Sequence, residues 1–254
     1  MTRSGPREGV WLVLVAAGRG ERLGGDVPKA LRELGGRPLF AYALAAAAHS
    51  GAVAHVVLIA DPEAGWAATR GLPETSRERL RAVVRGGPLR RDSVCEGLHA
   101  VRAAVGASPS NPDPVVLVHD AARPFAPPEL FARMAEACAR GPAVAVRAVP
   151  DTVKEVDGGV VRKTLDRARL ALAQTPQGAR LSLLERAHEV MPGIDATDDA
   201  ALLEALGAPV TAVPGSETNF KITSPEDLRL AEAWVRAGGA PWMDAAPATS
   251  RPNT

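Results

Sequence analysis

Residues 10–24 have the sequence VWLVLVAAGRGERLG, a continuous apolar run followed by a glycine-rich turn. Such a run is typical of a strand that is covered on both faces of a parallel sheet. The glycines let the backbone approach a polyphosphate and point N–H groups toward it. The stretch therefore predicts a buried first strand and a phosphate-binding loop. For the loop alone, a solvated surface turn is the alternative; for the strand, it is a signal peptide, with Arg3 and Arg7 ahead of the run.

The spacing of the turn excludes the two commonest nucleotide loops. The dinucleotide fingerprint GxGxxG is not met, because the third glycine, Gly24, comes one residue late. A Walker A loop needs a Gly-Lys pair, and the chain contains none. The loop instead carries Arg19 and Arg22, with Lys29 a little further on. Because arginine clamps phosphate oxygens in a bidentate way and lysine acts as a compact charge, this loop favours a triphosphate that undergoes chemistry.

Strands and helices alternate beyond this loop. Apolar runs predict strands over residues 55–60, 115–118, 144–149 and 210–213, and periodic segments predict helices over residues 39–48, 92–105 and 128–140. Thr197 is predicted to cap a further helix, and Ser224 with Pro225 is predicted to begin the last one. This alternation is typical of βαβ units and predicts an α/β fold with a mostly parallel sheet covered by helices.

The pattern breaks after Pro150. Two short segments with alternating polar residues flank Asp157-Gly158-Gly159, and a glycine pair in that setting is typical of a β-hairpin. The hairpin is expected to lack an apolar face of its own, to project and to contact a partner. Residues 150–170 are therefore predicted to be a dimerisation arm within a single domain, residues 1–237. Residues 238–254, rich in Ala, Pro and Gly, are predicted to be a disordered tail.

The composition of the 254 residues narrows the class of protein. Lys and Arg number 30 against 29 Asp and Glu, a net charge of +1 that attracts neither nucleic acid nor an anionic membrane. Four Phe, four Trp and one Tyr are too few for a platform that stacks bases. Cys95 and Cys138 fit neither a disulfide framework nor a metal pair. We expect a cytoplasmic protein with no nucleic-acid or membrane partner.

Asp120 is the second candidate for chemistry, in the run HDAARP at residues 119–124. It lies just beyond the carboxyl end of a predicted buried strand, where open α/β sheets bind their ligands. A carboxylate there can hold Mg²⁺ together with phosphates. Capping of the following turn is the alternative. His119 is interpreted as a packed, hydrogen-bonded residue.

Five segments, in this order, carry a resemblance to a known family. They are AAGRGER at 16–22 with Pro28-Lys29, RRDSV at 90–94, HDAARP at 119–124, QTPQ at 174–177 and NFKITSPEDL at 219–228. Over residues 10–236 the chain resembles the 2-C-methyl-D-erythritol 4-phosphate cytidylyltransferases of the non-mevalonate isoprenoid pathway. The resemblance implies a Rossmann-like nucleotidyltransferase fold with a β-arm that interlocks two protomers. It also implies transfer of CMP from CTP with Mg²⁺: the acceptor phosphate attacks the α-phosphorus and pyrophosphate leaves.

The resemblance also implies roles for single residues. The catalytic cations are Arg22, Lys29 and Lys221. The nucleotide site comprises Ala16, Ala17, Gly18, Gly20, Gly87 and Ser93. Asp120 binds Mg²⁺ and substrate, and Thr152 and Arg167 reach the substrate phosphate of the neighbouring protomer. On residue type alone, three of these residues have a non-functional alternative. Gly87 fits a structural turn, Lys221 a solvated surface lysine, and Arg167 a basic stretch with no specific ligand.

Three other functions share parts of this pattern. A ribitol 5-phosphate cytidylyltransferase shares the arm and the CTP site, and its acceptor is a similar polyol phosphate. Another sugar nucleotidyltransferase fits the glycine-rich loop but not the arm or the Lys221 motif. A non-catalytic nucleotide-binding protein predicts loss of Arg22, Lys29 or Asp120, all of which are present. A monofunctional enzyme is expected, because only a short tail follows the domain.

Overall fold

The computed structural model describes residues 9–18, 31–106, 113–190 and 198–243. Its strands are β1 (Val10–Val15), β2 (Glu33–Leu34), β3 (Arg37–Pro38), β4 (Val53–Ile59), β5 (Leu80–Val84), β6 (Val115–Asp120), β7 (Ala143–Ala148), β8 (Lys154–Asp157), β9 (Val160–Thr164), β10 (Ala171–Arg180) and β11 (Thr211–Pro214). Its α-helices are α1 (Leu39–His49), α2 (Pro62–Thr69), α3 (Glu74–Arg77), α4 (Arg90–Gly106), α5 (Pro128–Arg140), α6 (Leu181–Val190), α7 (Asp199–Ala205) and α8 (Pro225–Arg236). No helix within these ranges combines the length and the apolar character that crossing a bilayer requires.

Seven of the strands form one central sheet in the order β11-β7-β10-β6-β1-β4-β5. Neighbouring strands are parallel except at β10, which runs antiparallel to both β6 and β7. The predicted α/β fold with a mostly parallel sheet is therefore confirmed. β10 itself was not predicted from the sequence.

The continuous apolar sequence of β1 reflects a core on each side of the sheet. Successive side chains of a strand point to opposite faces. Leu12 and Leu14 pack in the cluster that includes α1, α5 and α8. Trp11 and Val13 pack in the other cluster, with α4, α6 and α7. Both faces of the central strands are thus covered, which leaves the strand ends as the place for ligands.

The starts of two helices follow the capping chemistry of the sequence. α8 begins as predicted: Ser224 accepts from the Asp227 N–H (3.2 Å), and the Asp227 carboxylate accepts from the Ser224 N–H (2.9 Å). α7 differs from the prediction. Its N-cap is Asp198, which accepts from the Ala201 N–H (2.9 Å), whereas Thr197 lies outside the described residues.

The predicted arm is a separate hairpin of β8 and β9. Gly158 and Gly159 form its two-residue turn with φ of 55° and 79°. A type I′ hairpin turn requires positive φ at both of these positions. The expectation that the hairpin has no apolar face is wrong. Val156 and Val161 are paired across the two strands, and each residue is 57% exposed. The arm leaves the central sheet after β7 and rejoins it at β10.

The predicted disordered tail begins too early. Residues 241–243 form a turn of 3-10 helix whose Met243 is buried in the core. Trp242 Nε1 donates to the Tyr42 carbonyl of α1 (3.3 Å), and Arg37 donates to the Met243 carbonyl (3.3 Å). Trp242 and Met243 supply apolar side chains that pack in the core. The Ala, Pro and Gly content of the segment did not indicate this packing. Residues 244–254 lie outside the described residues.

Candidate active site

The carboxyl edge of the central sheet gathers most of the predicted site residues. Asp120 ends β6 and lies opposite Val15, which ends β1. Ala121 extends the ladder by donating its N–H to the Val15 carbonyl (2.9 Å). This pairing places Asp120 beside the strand that leads into residues 16–18, at the edge where open α/β sheets bind ligands.

Asp120 is held between two cations. Arg90, the first residue of α4, donates from Nε to Oδ1 (2.9 Å), and Lys221 donates from Nζ to Oδ2 (2.7 Å). The Asp120 side chain is only 10% exposed. Burial alone would raise the pKa of its carboxyl group, but Arg90 and Lys221 hold that pKa well below its usual range. The carboxylate is therefore ionised at neutral pH and fixes both cations, so Lys221 is not a merely solvated surface lysine.

A buried hydrogen-bond chain fixes the backbone beneath Asp120. The Asp120 N–H donates to Thr175 Oγ1 (3.1 Å), which lies 2.9 Å from His119 Nδ1. His119 Nε2 lies 3.1 Å from the Arg123 carbonyl oxygen, which can only accept. Nε2 therefore carries the proton, and Nδ1 accepts from the Thr175 hydroxyl. Burial lowers the pKa of His119 to about 4 and keeps the ring neutral, in agreement with a packed, hydrogen-bonded role.

The segment that carries Lys221 is attached to the same strand ends. Asn219, fully buried, donates from Nδ2 to the Thr175 carbonyl (2.7 Å). The Ile222 N–H donates to the Ala122 carbonyl (2.8 Å). The motifs around residues 119–124, 174–177 and 219–228 thus contact one another, although they are far apart in the chain. Their contacts hold the Lys221 backbone where its side chain reaches Asp120.

A second group of predicted residues meets at the neighbouring strand ends. A Cβ atom on Gly86 would lie 2.4 Å from Ala17 Cβ and 2.6 Å from Ser93 Oγ. A Cβ atom on Gly87 would lie 2.3 Å from Asp92 Cβ. Both glycines therefore permit the close approach of the segment after β5, the end of β1 and the start of α4. The structure brings Ala17, Gly87 and Ser93 together, while their contact with a nucleotide stays a prediction.

Five other predicted residues belong to neither of these two groups. Three lie outside the described residues: Gly20, Arg22 and Lys29. Thr152 and Arg167 lie near the two ends of the arm, where both are exposed, and Arg167 donates to the Pro150 carbonyl. Neither is among the residues that contact Asp120 in the described part of the chain. Their predicted contact with the substrate of a neighbouring protomer stays a prediction.

Arg90 and Asp199 belong to the site, although the sequence predicts no role for either residue. Arg90 donates from its second guanidinium nitrogen to Asp199 Oδ2 (2.9 Å). Asp199 follows Asp198, the N-cap of α7, and an acidic residue in the first turn of a helix needs no other role. Asp199 instead points inward and is buried. Because the two partners are 109 residues apart, no local pattern links them, and only the RRDSV motif marks Arg90.

The donor set fits a magnesium ion that is shared with a substrate. No cluster of three or more His, Cys, Asp or Glu side chains that could hold a metal occurs within the described ranges. Mg²⁺ commonly binds through one or two carboxylates together with phosphate oxygens. Each Asp120 oxygen receives one hydrogen bond from a cation and keeps a second lone pair. Asp120 can therefore contribute one ligand without losing Arg90 or Lys221.

Comparison with known proteins agrees with this geometry. The family model for 2-C-methyl-D-erythritol 4-phosphate cytidylyltransferase matches residues 10–237. The chain belongs to this family. A cytidylyltransferase of this name from Frankia casuarinae is 45% identical over 227 residues, which cover 87% of this chain and 79% of the relative.

Two further relatives extend the comparison. The crystal structure of a 2-C-methyl-D-erythritol 4-phosphate cytidylyltransferase from Thermus thermophilus is 38% identical with a TM-score of 0.67, covering 88% of this chain and 98% of that one. A bifunctional enzyme IspD/IspF from Solidesulfovibrio magneticus is 46% identical over 235 residues, which cover 88% of this chain. The chain spans only 57% of the length of that bifunctional relative. The resemblance to the cytidylyltransferase family and its nucleotidyltransferase fold are thus confirmed.

Proposed function

We propose that this chain transfers CMP from CTP to 2-C-methyl-D-erythritol 4-phosphate and releases pyrophosphate. The observation that carries the proposal is the Asp120 carboxylate, ionised between Arg90 and Lys221 at the edge where the glycine-rich loop begins. Membership of the cytidylyltransferase family supports CTP and this acceptor, because the relatives are named for them.

The residues are suited to direct attack by the acceptor phosphate. That phosphate is already a nucleophile, so catalysis consists of positioning it and of stabilising charge at the α-phosphorus. We assign this charge stabilisation to Lys221 together with Arg22 and Lys29. The nucleotide itself is assigned to Ala16, Ala17, Gly18, Gly20, Gly87 and Ser93.

Mg²⁺ is the proposed cofactor, with Asp120 as its protein ligand. When bound, the ion would polarise phosphate oxygens as a Lewis acid. Arg90 and Lys221 keep the carboxylate ionised. Their two hydrogen bonds also fix its orientation, so the lone pairs that could bind the ion point in fixed directions. A carboxylate with this pKa needs no proton to be removed before it binds a cation.

A homodimer through the arm is the proposed assembly. Val156 and Val161 lie opposite each other on the arm and are exposed, so they offer apolar area to a second copy of the chain. Thr152 and Arg167 at the ends of the arm would then bind the substrate phosphate of the partner. The site of each protomer would be complete only in the dimer.

The test is pyrophosphate release by the purified protein with Mg²⁺ and CTP. Parallel reactions contain methylerythritol phosphate, D-ribitol 5-phosphate or no acceptor. We expect strong preference for methylerythritol phosphate, which family membership favours over the ribitol alternative. Preference for ribitol phosphate would keep the mechanism and change the acceptor. No release with either acceptor would overturn the catalytic roles of Lys221 and Asp120.

A further inference from the structure

Hydrogen bonds continue from Asp120 into the protein interior. Arg90 joins Asp120 to Asp199, and Asp199 Oδ1 lies 3.2 Å from His188 Nε2. His188 Nδ1 lies 3.3 Å from Cys95 Sγ on α4. The side chains of Asp199 and His188 are 1% and 3% exposed. A buried chain of groups therefore links α4, α7 and α6 to the predicted catalytic edge.

We propose that His188 is a positioning residue for the cytidylyl transfer: it occupies Asp199 so that Arg90 remains hydrogen-bonded to Asp120. This inference rests on the proposed function, because the reaction is what the positioning serves. His188 touches no substrate and reaches the site only through Asp199 and Arg90.

Arg90 divides its N–H donors between two carboxylates. It gives Nε to Asp120 Oδ1 and a terminal nitrogen to Asp199 Oδ2, both at 2.9 Å. A single carboxylate commonly takes two guanidinium N–H groups together in a bidentate pair. If Asp199 Oδ1 had no partner, Asp199 could take both and draw Arg90 away from Asp120. His188 occupies Oδ1, so the divided arrangement is retained.

The charges along the chain of groups support this role. They alternate from Lys221 through Asp120, Arg90 and Asp199 to His188, so each buried carboxylate lies between two cations. Loss of one of two partners of a buried carboxylate costs folding free energy unless another donor replaces that partner. Arg90, which already donates to Asp199 Oδ2, is a replacement donor for Asp199.

His188 carries its charge at neutral pH. Burial acts to lower the pKa of its imidazole, but the hydrogen bonds to Asp199 and Cys95 raise that pKa to about 9. The charged groups around it are Asp199 from α7 and Arg91 from α4, which donates to the His188 carbonyl. The imidazolium donates from both ring nitrogens, and Nε2 supplies the hydrogen bond to Asp199.

The experiment compares His188→Gln with a control at the same helix interface. Gln keeps an amide donor near Nε2 but carries no charge, so it holds the Asp199 carboxylate less strongly than the imidazolium does and lets Arg90 shift toward Asp199. Glu185→Gln breaks another ion pair between α4 and α6, that of Arg102 with Glu185 (2.6 Å), which does not belong to this chain of groups. Each protein is assayed for pyrophosphate release with CTP and methylerythritol phosphate from pH 7 to 10, after circular dichroism shows that it is folded.

We expect His188→Gln to lower kcat about 2- to 30-fold at pH 7.5, the range typical of residues that act through others. The ratio of wild-type to variant kcat should approach one above about pH 9, where residue 188 is neutral in both proteins. Loss of structure alone would not close that ratio. Glu185→Gln should stay close to wild type at every pH.

The possible outcomes separate the two claims. A wild type that releases no pyrophosphate overturns the proposed function and the role of His188 in it. An active wild type with an unchanged His188→Gln kcat, or with a ratio that stays constant with pH, overturns only the positioning role. If His188→Gln does not fold, nuclear magnetic resonance of the wild-type imidazole decides: a charged ring at pH 7.5 supports the role, and a neutral ring overturns it.

Discussion

At the scale of single residues, the ionised Asp120 is what unites the site. Its two oxygens receive hydrogen bonds from cations that begin α4 and precede α8. Neither cation can be removed without leaving a nearly buried carboxylate half paired, which costs more than a surface ion pair contributes. Substitutions here should therefore act on the chemistry and on the order of the site together.

Lys221→Ala should lower kcat by about 10²–10³, as loss of one donor to a transition-state charge commonly does. Steady-state pyrophosphate release measures it. Arg229→Ala is the control, because it removes a nearby cation whose pair with Glu226 is mostly exposed. A Lys221→Ala enzyme with near-normal kcat would exclude Lys221 from the reaction.

The neutral His119 should make the fold sensitive to acid. Between pH 6.5 and about 4 the unfolded chain protonates this imidazole and the folded protein does not. The free energy of unfolding should therefore fall as the pH falls through that window, by roughly 1–3 kcal/mol. His55, whose pKa is lowered by burial and by Arg81, acts in the same direction.

Urea unfolding at pH 7 and pH 5 measures this loss of stability. His119→Gln should reduce the difference between the two pH values, whereas His99→Gln, at an exposed position, should leave it unchanged. An equal difference in all three proteins would mean that His119 is not the titrating group.

At the scale of elements, the strand ends approach closely because glycines follow β5. Gly86→Ala should raise the KM for CTP and destabilise the fold by about 1–3 kcal/mol, since its Cβ atom would clash with Ala17 and Ser93. Gly71→Ala is the matched control, because a Cβ atom there meets nothing within 4 Å. Steady-state kinetics and thermal unfolding test both variants. Equal behaviour of the two would refute the close approach.

The sequence predicted elements better than it predicted their contacts. β1 and α5 were evident because a strand covered on both faces and an amphipathic helix each have a plain pattern. β10 was missed because Gln174, Thr175 and Gln177 are polar and Pro176 is rare in a central strand. These side chains are buried because they bond to distant groups, such as Asn219 and Asp198. The Arg90–Asp199 pair was not predicted for the same reason: its two residues are far apart in the chain.

At the scale of the whole molecule, assembly and activity should fail together. Replacing both Val156 and Val161 with Lys should convert a dimer to a monomer, because charge would be placed in the apolar pair of the arm. The monomer should lose activity with methylerythritol phosphate by an order of magnitude or more, since Thr152 and Arg167 of a neighbour are absent.

Analytical ultracentrifugation and the pyrophosphate assay measure the two effects. Trp66→Gln removes another exposed apolar side chain, on α2, and should change neither mass nor rate. A double variant that remains dimeric would move the interface elsewhere. A fully active monomer would mean that each site is complete within one chain.

The arm is inserted at a single point of the central sheet, which affects how it can be engineered and how it can evolve. Ala148 and Ala171 face each other across the β7–β10 ladder, so the chain leaves the sheet and returns at one point. A short turn could close this gap without altering the rest of the sheet. The entropic cost of closing a loop grows only with the logarithm of its length. A longer arm, or one of different sequence, would therefore change the free energy of folding little. The arm can thus vary in length and composition without disturbing the central sheet, whereas a change at Thr152 or Arg167 would also alter the proposed contacts with the substrate.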